Sequence, residues 1–266
     1  MKYFEFVGLP GAGKTTSTRK LRALLQLHGR RPLMRAEILR IMMCELLRKG
    51  QGPLWILAGV LSRICEDRIA NLLWEKTRSP ILFRFLAEHP EFSQQVIDCA
   101  RHAAPPHWIP AEVVCAENLI DWLFTHAVQY QAARELAKAD DILIMEEGFC
   151  QQVYYLTAFY QGHFREKQLY DFLNMTPKPD IFIALLPDAE ECEKRMHRRK
   201  KGVASDILSP LTVQQRLDVL EHRSGVYQSV ADYWEEQGVA VLRVRNETQQ
   251  EVKALFLEDL LPLLST

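Results

Sequence analysis

The stretch EFVGLPGAGKTT, residues 5–16, decides how this 266-residue chain is read. The run Tyr3 to Val7 is short, aromatic and β-branched, and stops at a glycine, as a buried strand does. Gly8-Leu9-Pro10-Gly11-Ala12-Gly13-Lys14-Thr15 then meets G-x-x-x-x-G-K-[ST] at every fixed position. Residues 14–28 continue as a helix, with Leu21, Leu24, Leu25 and Leu27 apolar and His28-Gly29 closing it. Between strand and helix, such glycines let backbone N–H groups turn inward around phosphate oxygens while the positive end of the helix dipole faces the same charge. A bare turn would not need Gly, Lys and Thr at these offsets. The expected ligand is ATP, bordered by Gly8, Pro10, Gly11, Ala12, Gly13, Lys14, Thr15 and Thr16. Lys14 would bridge the β and γ phosphates, and Thr15 would ligate Mg2+.

Downstream, strands and helices alternate. A weak second strand is expected near Pro32 to Arg35, a third at Ile142 to Met145, a fourth at Ile181 to Leu186 and a fifth in VAVLRVRNE, residues 239–247. Helices are expected at 119–137, 211–237 and from Gln249 to about Leu261. The alternation predicts an α/β chain of three layers, with a five-stranded, mainly parallel sheet in one domain over 1–266. Between Arg35 and Ile142 lie about 105 residues, far more than a crossover needs, so 38–135 is read as an enlarged helical insertion. Breaks are expected at Gly50-Gln51-Gly52-Pro53, Ser79-Pro80, His89-Pro90 and around Pro105-Pro106.

Lys+Arg 33 against Asp+Glu 34 leaves no global field to draw the chain to DNA, RNA or an anionic bilayer, so bulk nucleic-acid binding is not expected. Six scattered cysteines form neither a C-x-x-C pair nor a zinc pattern, which suits a reducing compartment. With no leader-like start and no membrane-length apolar run, the expectation is a cytoplasmic protein without membrane partners. An exposed helical cap would suit a homodimer.

The segment LLPDAEECEKRMHRRKKG ends a strand, turns at a proline and places Arg195 and Arg199 one turn apart on a helix. That layout is a lid, read over 194–210, in which one guanidinium lies on the adenine and the next reaches the moving phosphoryl group. A solvated basic helix or a nucleic-acid patch is the plain alternative. With the loop at 8–16, the strand at 142–146 and the terminal VLRVRNET, the chain here resembles the P-loop nucleoside and nucleotide kinases, closest in layout to the deoxynucleoside and thymidylate kinase group. The resemblance leaves out most of 38–135. It implies the P-loop NTPase fold, a lid R-x-x-x-R at Arg195 and Arg199, and an adenine bordered by Asn246, Glu247 and Thr248.

Two places offer a carboxylate. Glu146 and Glu147 end the third strand, where ligands of open α/β sheets bind. The resemblance implies that Glu146 acts on magnesium through water, whereas Glu147 stands where those relatives carry an arginine. Glu37, with Arg35, is the other candidate for positioning or deprotonating the acceptor; a salt bridge or an ordinary helix first turn is the alternative. In the insertion, Trp55, Trp74, Trp108, Trp122, Phe83, Phe85 and Phe92 are read as core before pocket. His107, His126, Gln129, Tyr130 and Arg134, then Gln151, Gln152, Tyr154 and Tyr155, are the polar residues expected toward the cleft.

The expectation is therefore an enzyme, a kinase moving the γ-phosphate of ATP to a small-molecule acceptor with Mg2+. Nucleosides or nucleotides lead by resemblance, with another specialised metabolite beside them. The rival is a nucleotide-binding regulatory ATPase or switch with no acceptor; the chain lacks the N-K-x-D of a GTP switch.

Overall fold

The computed structural model describes residues 1–49, 78–102, 116–159, 166–198, 208–209, 211–246 and 248–264. The five expected strands are present: β1 (Lys2–Gly8), β2 (Arg31–Leu33), β3 (Asp141–Met145), β4 (Ile181–Leu185) and β5 (Ala240–Val244). They form one sheet in the order β2-β3-β1-β4-β5, and every pairing is parallel. A parallel sheet must be covered on both faces, so its inner strands need unbroken rather than alternating apolar runs. β3 and β4 are buried along their whole length, and β1 is buried from Tyr3 onward.

Helices α1 (Lys14–Leu27) and α2 (Arg35–Lys49) flank β2. The insertion supplies α3 (78–88), α4 (Pro90–His102) and α5 (Ala116–Leu136). Then follow α6 (Phe149–Phe159), α7 (Glu166–Met175), α8 (Ala189–His197), α9 (Val213–Glu236) and α10 (Gln249–Ala254). α1 turns Ser17, Thr18, Leu21 and Leu25 inward at helical spacing. α9 opens with a reciprocal capping box between Thr212 and Gln215 and buries the stripe Arg216, Leu220, Arg223, Tyr227, Val230, Trp234.

Four expectations shift. The second strand stops at Leu33, because the Glu37 carboxylate accepts the Met34 N–H (3.2 Å) and helix starts at Arg35. Ser79-Pro80 does not break the chain, which is helical over 78–88; His89-Pro90 does, with Pro90 as the first residue of α4. The terminal helix is α only to Ala254, widens to a π-helix over Leu255–Leu260 and ends in a short turn at Leu261–Leu263. The wider turn buries Leu255, Phe256 and Leu260 together. Phe85 and Phe92 are fully buried against Phe149 and Phe172, as core, whereas Phe83 is 71% exposed. Trp55, Trp74, Trp108 and His107 lie outside the described residues.

One buried charge stands in the central strand. Glu5 shares a face of β1 with Tyr3, whose hydroxyl it accepts, and its other oxygen accepts the Cys150 N–H (2.6 Å) in the first turn of α6. The carboxyl thus fixes α6 to the sheet. Burial pushes its pKa up to about 7, against the lowering effect of the Tyr3 and Cys150 hydrogen bonds. A carboxyl whose folded pKa exceeds its unfolded value contributes stability below the unfolded value and loses it as pH rises through the folded one. His126, pushed down to about 4 by burial and by the Arg35 charge, acts in the opposite sense as pH rises toward its unfolded value. We expect the stability of the wild type relative to Glu5→Gln to fall by on the order of 2–4 kcal/mol between pH 4.5 and pH 8, read from urea melts. A difference that stays flat with pH would show that Glu5 is ionised throughout.

Candidate functional site

The strand order determines where a ligand can enter. From β1 the chain turns to β2 on one side, and from β3 it crosses β1 to reach β4 on the other, so the order reverses between β1 and β3. In open parallel sheets the crevice at that reversal, beyond the carboxyl ends of the strands, is the binding site. Residues 8–14 leave β1 there, and Glu146 and Glu147 leave β3 there.

The glycine loop is gripped by the chain around it. Gly11 (φ 90°) and Gly13 (φ 87°) are left-handed. A Cβ on Gly11 would stand 2.6 Å from the Cys192 carbonyl oxygen of α8, and one on Gly13 2.6 Å from the Asn246 amide. Asn246, itself left-handed at φ 52°, donates its amide to the Ala12 carbonyl. From α6, Gln151 accepts the Gly8 N–H (3.1 Å) and donates to the Gly8 carbonyl (3.2 Å). α1 then begins at Gly13 with no side-chain cap and no acid in its first turn, so its leading N–H groups face the crevice with the dipole unopposed by its own sequence.

Lys14 is 8% exposed. Its ammonium donates to the carbonyls of Gly8 (2.8 Å) and Leu9 (3.3 Å) and pairs with Glu147 at 3.6 Å. Burial lowers its pKa to about 8, with the Arg223 charge adding to the fall and Glu147 and Glu146 opposing it. The next side chain, Thr15, donates its hydroxyl to Glu146, and Thr18 reaches the other carboxylate oxygen (3.5 Å). Loop hydroxyl and strand-end carboxylate thus meet beside the buried ammonium.

A further buried cation, felt by Lys14 through its charge, stands on α9, where no site residue was expected. Arg223 is 5% exposed. Its guanidinium carbon lies 4.4 Å above the Tyr154 ring, and its Nε donates to the Tyr227 hydroxyl (2.8 Å). Tyr227 in turn donates to the Gln151 carbonyl (3.1 Å), one residue's length from the side chain that holds Gly8. Its companion on the stripe, Arg216, has a structural job: it binds Glu193 of α8 (2.7 Å) and the Leu211 carbonyl. Burial alone would raise Glu193, but its hydrogen bonds from Arg216 and His197 outweigh that and hold its carboxyl below the usual range.

The remaining expected residues fall as follows. Arg195 is part-buried on α8 and donates to Glu191 (2.8 Å). Arg199 and Glu247 lie outside the described residues. Thr248 caps α10, accepting the Glu251 N–H. Glu37 pairs with Arg22 (2.6 Å) and lines a cavity of about 440 Å³ at the β2 edge, which none of residues 8–16 borders. Arg134 pairs with Glu88 on the outer side of α5. His126 of α5 and Gln152 of α6 meet at 3.0 Å, and among the described residues His126 Nδ1 and Gln152 Oε1 are buried without a hydrogen-bond partner. Protein-family models and curated proteins alike yield no match to this chain.

Among the described residues no group of three His, Cys, Asp or Glu could hold a metal by itself. Thr15 and Glu146 set a hydroxyl and a carboxylate oxygen side by side, a pair of hard oxygens that could hold a magnesium ion together with water and phosphate. Nor, among the described residues, is any helix long and apolar enough to cross a membrane.

Gly13→Ala should cost about 1–2 kcal/mol for the left-handed backbone, plus the clash with Asn246. In a double-mutant cycle, Asn246→Ala should recover the clash and not the backbone cost. Additive losses in denaturant melts would contradict the contact.

Proposed function

We propose that the protein is an ATP-dependent phosphotransferase with a P-loop, moving the γ-phosphate to a small-molecule acceptor. The observation that carries this reading is the meeting of Thr15 and Glu146 beside Lys14 at the mouth of an uncapped helix. Each group has a task in phosphoryl transfer. The leading N–H groups of α1 and the Lys14 ammonium bind polyphosphate oxygens, and Thr15 with Glu146 holds the magnesium side. Magnesium, when bound, neutralises charge on the β and γ oxygens. Glu147, 57% exposed beside Lys14, has the reach to orient an incoming hydroxyl. With the Gln152 amide donating to His126 Nε2, the pair keeps the His126 Nδ1–H as a donor and Gln152 Oε1 as an acceptor, polar recognition suited to an acceptor molecule. Nucleosides or nucleotides are the first acceptors to try, on sequence resemblance alone.

The Lys14 charge gives the first test. Its ammonium sits near pH 8 in the free protein, and a polyphosphate would raise that value, so ADP binding at pH 8.5 should take up protons. Calorimetry in two buffers of different ionisation heat reads this directly. Lys14→Ala should weaken ADP by about 10- to 100-fold. ADP release should then rise with one class of acceptor in a screen of nucleosides, nucleotides and sugars. A wild type that binds no nucleotide, or a Lys14→Ala variant that binds it equally well, overturns the proposal.

A further inference from the structure

The buried carboxylate of the central strand stands where it can do more than hold the core. Gly148, the residue before α6, has no side chain to cap that helix, and the first turn of α6 holds no acid, so its leading N–H groups need an acceptor from elsewhere. Glu5 supplies one from β1. One of its oxygens accepts the Cys150 N–H (2.6 Å), and the Gln151 N–H bonds the same carboxylate. The approach leaves no room for a side chain ahead of the helix, since a Cβ on Gly148 would stand 2.4 Å from that oxygen. The backbone of Glu5 is meanwhile in register with Met145, the last residue of β3. Glu146 and Glu147 are therefore bracketed: the strand ladder holds the residue before them, and the Glu5 side chain holds the residues after them. Gln151 in turn clasps Gly8, further along the strand that carries Glu5, and Lys14 bonds the Gly8 carbonyl. The Tyr3 hydroxyl donates to the second Glu5 oxygen, so the carboxylate is an acceptor on both sides. These bonds are charge-assisted only while Glu5 is ionised, and such bonds are roughly twice as strong as neutral ones.

We infer that Glu5 is a positioning residue of the nucleotide site: its carboxylate holds the turn from β3 to α6 so that Glu146 and Glu147 meet Thr15 and Lys14 while Gln151 keeps Gly8 in place. The inference rests on the phosphotransferase reading and adds to it a residue through which nucleotide binding depends on pH. Among the described residues, the titratable groups that face the carboxyl are Tyr3 on β1 and Cys150 on α6, with the Tyr130 ring of α5 behind Tyr3 at 5.3 Å between centroids. Burial pushes Tyr3 and Cys150 up and the Glu5 charge pushes them further, so both keep their protons near neutrality. β3 and β4 set Met145 and Phe182 beside Glu5 in register, and α9 brings Trp234, which donates to the Cys150 sulfur; none of these titrates. Glu5 is thus the group of this cluster that changes charge near pH 7. Protonation weakens its hold on Cys150 and Gln151 while the carboxyl stays in the core, so the nucleotide site loosens before the fold does. The ionised form is the binding form, and affinity for nucleotide rises as pH rises through the Glu5 titration.

The test is ADP binding to the full chain with magnesium, titrated from about pH 5.5 to about pH 7.5 in wild type and Glu5→Gln, with near-ultraviolet circular dichroism to show that both are folded. Lys14 and the ADP phosphates titrate in both proteins, so the ratio of the two affinities isolates Glu5. Wild-type affinity relative to Glu5→Gln should fall about fivefold from the upper pH to the lower. Tyr3→Phe removes a bond that holds the Glu5 pKa down, and should move the same fall toward higher pH by on the order of one unit. Because it keeps the carboxylate, this second variant carries the test against wild type if Glu5→Gln does not fold. A ratio that stays flat with pH would make Glu5 a structural cap and nothing more. A ratio that rises as pH falls would show charge acting through space in place of positioning. Either result overturns the inference, as does a Tyr3→Phe profile that coincides with the wild type. If the wild type binds ADP and the ratio is flat, this assignment alone falls; if the wild type binds no ADP at any pH, the phosphotransferase reading falls with it.

Discussion

The grip of neighbouring elements on residues 8–14 is the constraint from which the rest of the architecture follows. Cys192 presses a carbonyl against Gly11, Asn246 holds Ala12 and crowds Gly13, and Gln151 brackets Gly8 on both its N–H and its carbonyl. These three contacts come from α8, from the turn after β5 and from α6. The loop can keep its shape only if β3, β4 and β5 deliver those elements to the same end of the sheet, which parallel order accomplishes. It follows that Gly11 and Gly13 have structural reasons to be glycine independent of any ligand. The functional argument must then rest on what the loop presents: open N–H groups, one buried ammonium and one hydroxyl paired to a carboxylate.

Charge is distributed around this loop with little slack. The whole chain is nearly neutral, yet Lys14, Arg223, Arg216, Glu5 and Glu193 are all buried. Arg216 and Glu193 neutralise each other. Glu5 escapes part of its cost by holding its proton more tightly than a solvated carboxyl. Lys14 sheds part of its charge by a lowered pKa and leans on Glu147 at the rim. Arg223 cannot shed a proton, and an aromatic face and a hydroxyl are among the groups that hold it. Each solution differs, and only the last two converge on the loop.

The frame was legible because it is written in local chemistry. A β-branched run closed by glycine is a strand, and the loop motif fixes where the helix after it begins, so β1 and α1 could be placed within a residue or two. β3 and β4, buried on both faces, had no alternation to confuse them with surface strands. The second strand was blurred because its end is determined by Glu37 capping backwards onto Met34, a contact that strand propensity does not encode. Ser79-Pro80 was read as a break because proline opposes helix interiors, yet both residues lie in helix. Thr15, Glu146 and Lys14 were found by motif and strand end, and they meet. Gln151 was noted as polar; that it clasps Gly8 depends on α6 packing against β1, a tertiary fact. Arg223 was missed although a signal existed. Residues 216, 220, 223, 227, 230 and 234 recur at heptad spacing, and two arginines inside an apolar stripe ask what they face.

That stripe bears on the least ordinary residue of the site, Glu147. The resemblance to nucleoside and nucleotide kinases puts an arginine at this position, and a simple reading of its loss is a damaged acceptor side. The geometry gives the glutamate a use of its own. An arginine at 147 would stand next to Lys14, adding repulsion to an ammonium already weakened by burial and by Arg223. Glutamate there supports Lys14, and the second cation enters from α9, where Tyr154 and Tyr227 hold it. Under the proposed function, the rim thus carries the negative group that supports Lys14 and can meet an incoming hydroxyl.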